Sequence, residues 1–204
     1  MKILHIDSSV LNDNSVSRQL TKAVVDEWKL SDSPVEVTYR DLALEAPNHL
    51  SAEILEARFM QPEQHSALQR EETALGETFL EELFEADVIV LGAPMYNFSV
   101  PSQLKAWLDR ILVAGRTFKY TETGPIGLAG GKKVVIVSSR GSIYSQGSPA
   151  EAMDHQESYL KTALGLAGIT DITIIRAEGV SMSDKREQAL ASAYEQIRGL
   201  MAAA

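Results

Sequence analysis

The chain has 204 residues, 45% of them hydrophobic, with no cysteine and a formal net charge of −9. Without cysteine there is no disulfide, no thiolate nucleophile and no cysteine-ligated zinc or iron–sulfur centre. An acidic chain with scattered Lys and Arg is repelled by nucleic acid phosphates, and no apolar run approaches the roughly 18 to 20 residues of a membrane span.

The length suits one domain, expected here over residues 1–204, and suffices to bury a core without staples. The opening "MKILHIDSS" lacks the apolar stretch and small-residue cleavage site of a signal peptide, so a soluble, non-exported protein is expected. In chain order, "KILHID" (2–7) reads as a near-continuous apolar strand. "SVSRQLTKAVVDEWKL" (15–30) places Leu20, Val24, Val25 and Trp28 at helical spacing. "VEVTYRDL" (35–42) alternates as an edge or half-buried strand does. Residues 51–60 and 66–85 read as two helices parted around Pro62. "DVIVLGA" (87–93) is a continuous apolar strand. The helix after Pro101 carries Leu104, Trp107, Leu108, Ile111 and Leu112 on one face, with Ser102 expected to cap its start and Gly115 its end. "FKYTETGPIGL" (118–128) carries turn signals and predicts a small excursion. "KKVVIVSSRGS" (132–142) holds another apolar strand, with Lys132 and Lys133 as its solvated entrance. "QESYLKTALGLAG" (156–168) is a helix, "DITIIRAEGV" (171–180) a strand, and 183–204 a terminal helix with Ser183 as its cap.

Strict alternation with doubly apolar interior strands predicts a parallel sheet covered by helices on both faces. Five strands with right-handed crossovers point to the order 2-1-3-4-5. In such a sheet ligands bind beyond the carboxyl ends of the strands, where the order reverses. Three polar loops converge there: "DSSVLNDNSVSRQL", "APMYNFSVP" and "SSRGSIYSQGS". In the first, Ser9, Ser15 and Ser17 lie before or at a helix start, where free amides and the helix dipole favour a phosphate; Ser15 serves equally well as a plain cap. In the second, amides of Met95 to Phe98 suit the polar edge of a flat ring, Met95, Tyr96 and Phe98 its apolar faces, and Asn97 tolerates unusual backbone angles. In the third, Gly141 permits close approach of backbone to a ligand, or is an ordinary turn. His5 reads as an interior strand residue. No histidine pair has metal-ligand spacing, no Gly-x-Ser-x-Gly elbow is present, and neither a Gly-x-Gly-x-x-Gly nor a P-loop pattern occurs.

Together "APMYNF" with its Pro/Ser-Gln-Leu-Lys helix, "KYTETGP", "SSRGS" and "GITDI…AEG" resemble the FMN-dependent NADH:azoreductase family, whose members also reduce quinones. The resemblance runs from "HIDSS" to the terminal helix. It implies a flavodoxin-like three-layer αβα fold, one FMN per subunit, a homodimer, NADH or NADPH as transient donor, and a cytoplasmic enzyme. Quinones and aromatic azo compounds are the implied acceptors, reduced by ping-pong two-electron transfer through the flavin, with no side chain required as nucleophile. Positions matching Ser9, Ser15, Val16 and Ser17 hold the phosphate. Those matching Met95, Tyr96, Asn97 and Phe98 bracket the isoalloxazine, and those matching Ser139, Arg140, Gly141 and Ser142 touch its far edge. Phe98, Tyr120, Tyr144 and Ala163 are the implied substrate-pocket residues, with Tyr120 and Tyr144 as candidate proton sources. Ser142 stands where many members carry glycine, and Ala163 where a bulkier residue commonly closes the pocket. The competing readings are a non-enzymatic FMN electron carrier and a ligand-binding module of the same fold. The long 43–85 insertion and the apolar helix after Pro101 weigh against the carrier.

Overall fold

A strand that is apolar on both faces needs a helix layer on each side. The computed structural model, which describes residues 1–30 and 34–202, is built this way. Its elements are β1 (Lys2–Asp7), α1 (Val16–Lys29), β2 (Glu36–Asp41), α2 (Ala52–Glu56), α3 (Ala67–Glu85), β3 (Val88–Pro94), α4 (Ser102–Ile111), β4 (Phe118–Thr121), β5 (Gly124–Gly127), β6 (Lys133–Arg140), α5 (Glu157–Leu166), β7 (Asp171–Glu178) and α6 (Arg186–Ala202). The main sheet has five parallel strands in the order β2-β1-β3-β6-β7. This is the expected 2-1-3-4-5 once the predicted excursion, an antiparallel β4–β5 hairpin, is set aside.

Period-two alternation sends neighbouring residues to opposite layers. Leu4, Ile6, Ile89, Leu91, Val134 and Ile136 face α3, α4 and α5. Ile3, Val88, Val90, Val135 and Val137 face α1 and α6. β3, in the middle, is buried at every position, whereas β2 at the edge is half exposed, as its alternating sequence predicts. The hairpin is pinned at its base: a Cβ on Gly127 would lie 2.1 Å from the Gly168 amide nitrogen, so only glycine lets β5 rest on the end of α5.

Several local expectations change. Ser15 does cap α1, accepting from the Arg18 amide at 3.3 Å, and Ser66 caps α3 in a reciprocal box with Gln69. Ser102 does not cap α4: Pro101 occupies that position and the Ser102 hydroxyl donates to Gln103. α4 ends at Ile111 rather than near Gly115, because the Thr117 hydroxyl donates to the Ile111 carbonyl at 2.6 Å and accepts from the Val113 amide. The 51–60 helix is α-helical only to Glu56 and then tightens into a 3₁₀ turn over 57–59. α6 starts at Arg186, not at Ser183, since the amides of Lys185 and Arg186 both fold back onto the Met182 carbonyl; the last two residues of that expected helix, 203 and 204, lie outside the described residues. Lys132 is no solvated entrance. It is buried, and its ammonium donates to the carbonyls of Phe84 and Ala86 at 2.8 Å each, closing the C-terminus of α3 where the helix dipole favours a cation.

Candidate functional site

Strand order reverses between β1 and β3, and the three loops named from the sequence leave the carboxyl ends of β1, β3 and β6 there. In the first loop Ser9, Ser15, Val16 and Ser17 are all buried. The hydroxyls of Ser15 and Ser17 lie 3.1 Å apart at the N-terminus of α1. The first-turn amides of Val16 and Ser17 have no intrahelical acceptor, so hydroxyls, free amides and dipole meet at one point without a cation. The cation is underneath. Arg18 donates to the Ser9 carbonyl through Nε and Nη2 and forks onto both oxygens of Asp41. It ties the loop to the end of β2. Burial pulls the Asp41 carboxyl upward, but the Arg18 guanidinium and the amides of Ala43 and Leu44 outweigh it and hold the group below the usual carboxylate range. Beside it, Tyr39 donates to Asp7 and is pushed up to about 12, first by burial and then by the Asp7 charge.

The second loop is a tight hairpin turn. Tyr96 and Ser99 exchange backbone hydrogen bonds at 2.9 and 3.1 Å, and both central residues are left-handed, Asn97 with φ 49° and Phe98 with φ 72°. Two positive φ values define a type I′ turn, which favours Asn-Gly. Asn97 suits its position, as its sequence predicts. Phe98 occupies the glycine position, where a bulky residue is strained by about 1–3 kcal/mol. The amides of Met95 and Tyr96 are already used, by Ser139 O at 2.8 Å and Ser99 O, which corrects the expectation that all four amides face a ring. Those of Asn97 and Phe98 donate to no acceptor among the described residues. The Tyr96 hydroxyl spans the gap to the first loop, 3.1 Å from Ser9 Oγ, and accepts from the Val10 amide. The phenol therefore fixes one loop to the other as well as presenting its ring.

The third loop rests on Arg140. This side chain is 1% exposed and turned inward. It ion-pairs with Asp154, Glu157 and Glu178 at 2.7, 2.6 and 3.0 Å, and Nε donates to Ser138 and Gln156. Its guanidinium is thus committed to protein partners, and what Arg140 can offer a ligand is its main chain. Gln156 donates in turn to the Ala93 carbonyl of β3, and the His155 amide to the Phe98 carbonyl at 3.0 Å, so the charged hub supports the strained turn. The carbonyls of Arg140, Gly141 and Ser142 accept from the loop after β7, and the amides of Gly141 and Ser142 donate to no acceptor among the described residues. A Cβ at Gly141 would meet Ser181 Oγ at 3.0 Å; its close approach is to that side chain. Ser139 lies at the buried end of β6.

An open cavity of 570 Å³ adjoins the turn, lined by Val10, Tyr96, Asn97, Ser99, Val100, Gln103 and Tyr159 among others. Phe98 is 39% exposed and meets Tyr144 edge-on, ring centres 6.2 Å apart. Ala163, expected at the substrate pocket, does not line this cavity: it is 6% exposed and packs into the α3–α4–α5 core. Tyr159, one helical turn earlier, lines the cavity instead; its i, i+4 relation to Ala163 is the signal in the sequence that points to it. Tyr120 is 74% exposed on the hairpin, against Phe118, and does not line the cavity. The donor set suits a phosphate monoester at α1 joined to a flat ring whose polar edge meets free amides and whose faces meet aromatic side chains.

Residues 1–200 match the model of a family described by its flavodoxin-like fold. An FMN-dependent NADH:quinone oxidoreductase of Azospirillum brasilense is 54% identical over 202 residues, covering 98% of this chain and 97% of its own. FMN-dependent NADH:quinone oxidoreductase 2 of Pseudomonas aeruginosa is 54% identical with both chains covered in full. A crystal structure of an FMN-dependent NADH-azoreductase from Bacillus anthracis, in complex with FMN, superposes with a TM-score of 0.89 at 27% identity, covering 98% of this chain and 97% of that one. The chain belongs to this flavodoxin-like family of FMN-dependent NADH:quinone oxidoreductases and azoreductases.

Proposed function

We propose that the chain is an FMN-dependent enzyme that uses NADH or NADPH to reduce quinones and to cleave aromatic azo compounds to amines. The observation that carries this reading is the pair of free amides at Asn97 and Phe98, held in a strained turn beside an open aromatic-lined cavity. FMN, when bound, supplies the two-electron chemistry between nicotinamide and aromatic acceptor. The protein's own work is positioning. Ser9, Ser15, Val16 and Ser17 receive the phosphate with neutral donors. Met95, Tyr96, Asn97 and Phe98, with Ser139, Arg140, Gly141 and Ser142, form the ring's cradle; Arg140 does so through its main chain. Amide donors preset toward the ring's polar edge stabilise negative charge there without reorganisation. Phe98 and Tyr144, set edge to face, give the acceptor apolar aromatic contact.

We place the activity in a homodimer. Tyr120 is solvent-facing in its own subunit, and Phe59 is 85% exposed; a second copy would bury such side chains and bring Tyr120 to the rim of the opposite cavity. The reading treats residues 1–204 as a single FMN-binding domain. No described helix is long and apolar enough to cross a membrane, and the cytoplasm, where nicotinamide donors are held, is the proposed location. The test is steady-state oxidation of NADH and of NADPH by the FMN-loaded protein with benzoquinone. Sustained turnover with at least one donor is expected; none with either would overturn the reading. Sedimentation velocity tests the dimer separately.

A further inference from the structure

β7 ends at Glu178, and Gly179, Val180 and Ser181 follow it alongside the third loop. Their amides donate to three successive carbonyls: Val180 to Arg140 at 3.1 Å, Ser181 to Gly141 at 3.1 Å and Gly179 to Ser142 at 3.0 Å. Successive carbonyls of a strand alternate between its two neighbours; here three in a row turn to one. Each carbonyl and the N–H that follows it are antiparallel across a trans peptide, and no peptide bond among the described residues is cis. The amides of Gly141, Ser142 and Ile143 therefore all point away from β7, and none has an acceptor among the described residues. β6 lies between β7 and β3, so the open side of this row is the side of β3 and its Met95–Phe98 turn. Successive N–H groups turned one way make a concavity suited to negative charge.

Glu178 closes the row at both ends. Its Oε1 accepts from Arg140 Nη1 at 3.0 Å and from the Tyr144 amide at 2.9 Å. One carboxylate oxygen, on a side chain only 14% exposed, thus clamps two residues four positions apart with the three free amides between them. The Tyr144 bond turns the donors back toward β7 and ends the row. It also fixes the residue whose ring meets Phe98. Arg140 has two other carboxylates, Asp154 and Glu157. The Tyr144 amide has no acceptor besides Glu178 among the described residues, so that bond is what Glu178 alone supplies.

We propose that Glu178 is a positioning residue for the flavin: by holding the Tyr144 amide it keeps the amides of Gly141, Ser142 and Ile143 aimed at the ring, and so sets how strongly the protein favours reduced over oxidised FMN. The inference rests on the functional reading. Negative charge gathers at the ring's polar edge on reduction, and donors stabilise it best when they need not reorganise. A slack loop therefore costs the reduced form more than the oxidised one.

The test compares Glu178→Gln with Glu178→Leu. Both remove the charge, and Gln alone keeps an acceptor oxygen for Tyr144. The readout is the two-electron potential of the bound FMN, measured by equilibration with a reference dye. Relative to the Gln variant, the Leu variant is expected to favour reduced FMN about tenfold less, the worth of roughly one hydrogen bond, read as a potential about 30 mV more negative. Hydrogen exchange on the unaltered FMN-loaded protein needs no variant: a slowly exchanging Tyr144 amide is expected. Equal potentials in the two variants, or a Tyr144 amide exchanging as fast as an open loop, would overturn the proposal alone. Protein that retains no FMN would overturn the functional reading and the proposal together.

Discussion

Two arginines at the carboxyl end of the sheet are used in the same way to different degrees. Arg18 forks onto one carboxylate, Asp41, and two of its nitrogens hold the Ser9 carbonyl. Arg140 is buried among three carboxylates and fixes an entire loop against β3 and β7. Neither presents its charge to the site. On the phosphate side, neutral hydroxyls and a helix N-terminus remain; on the ring side, a strained turn and four amides with no acceptor among the described residues. Cations shape the loops, and backbone donors face the ligand. Amides set in a rigid frame cannot swing to follow a departing ligand, as a flexible arginine can.

The largest effect that would break this comparison is expected at Arg140. Arg140→Met leaves Asp154, Glu157 and Glu178 without their shared cation, and urea unfolding should show a loss of about 3–5 kcal/mol. A loss below 1 kcal/mol would mean the hub holds nothing. Arg18→Met should cost less, about 1–3 kcal/mol, and should change the acid limb. The folded pKa of Asp41 is depressed. Its stabilisation is therefore present above the unfolded carboxylate value near ~4 and is lost as pH falls through the folded pKa. Removing Arg18 lifts that depression, so acid unfolding should begin at higher pH than in the parent. An unchanged acid midpoint would deny Arg18 its role at Asp41.

Ser15→Ala should lower stability by about 1 kcal/mol and weaken FMN retention as well; a stability change alone, with FMN affinity intact, would reduce Ser15 to a cap. Phe98→Gly runs the other way. Glycine relaxes the turn, and the apoprotein should gain about 1 kcal/mol or less while acceptor turnover falls. The smallest effect is expected at Tyr120→Phe: FMN stays bound, reduction by NADH is unaltered, and acceptor kinetics shift. Unchanged kinetics with every acceptor would remove Tyr120 from the pocket.

Much of this was legible in the residues, and for a physical reason. Strand and helix periodicities are local, so the sheet order and the three loops follow from them, and Asn97 declared its left-handed position by type. What was hidden depends on contacts far apart in the chain. Arg140 reads as a loop residue until Glu178 is beside it; Lys132 reads as solvated until the carbonyls of Phe84 and Ala86 close on it. Tyr96 reads as ring cover until its hydroxyl reaches Ser9. Ala163 and Tyr159 share a helix whose pattern does not say which neighbour faces the core.

The most direct measurement is a visible spectrum of the purified protein, reconstituted with FMN and dialysed, before and after anaerobic addition of NADH or NADPH. A yellow protein that bleaches with one equivalent of nicotinamide, without a second protein present, is the predicted result. Colourless protein after dialysis would contradict the cradle of neutral donors on which the functional reading rests.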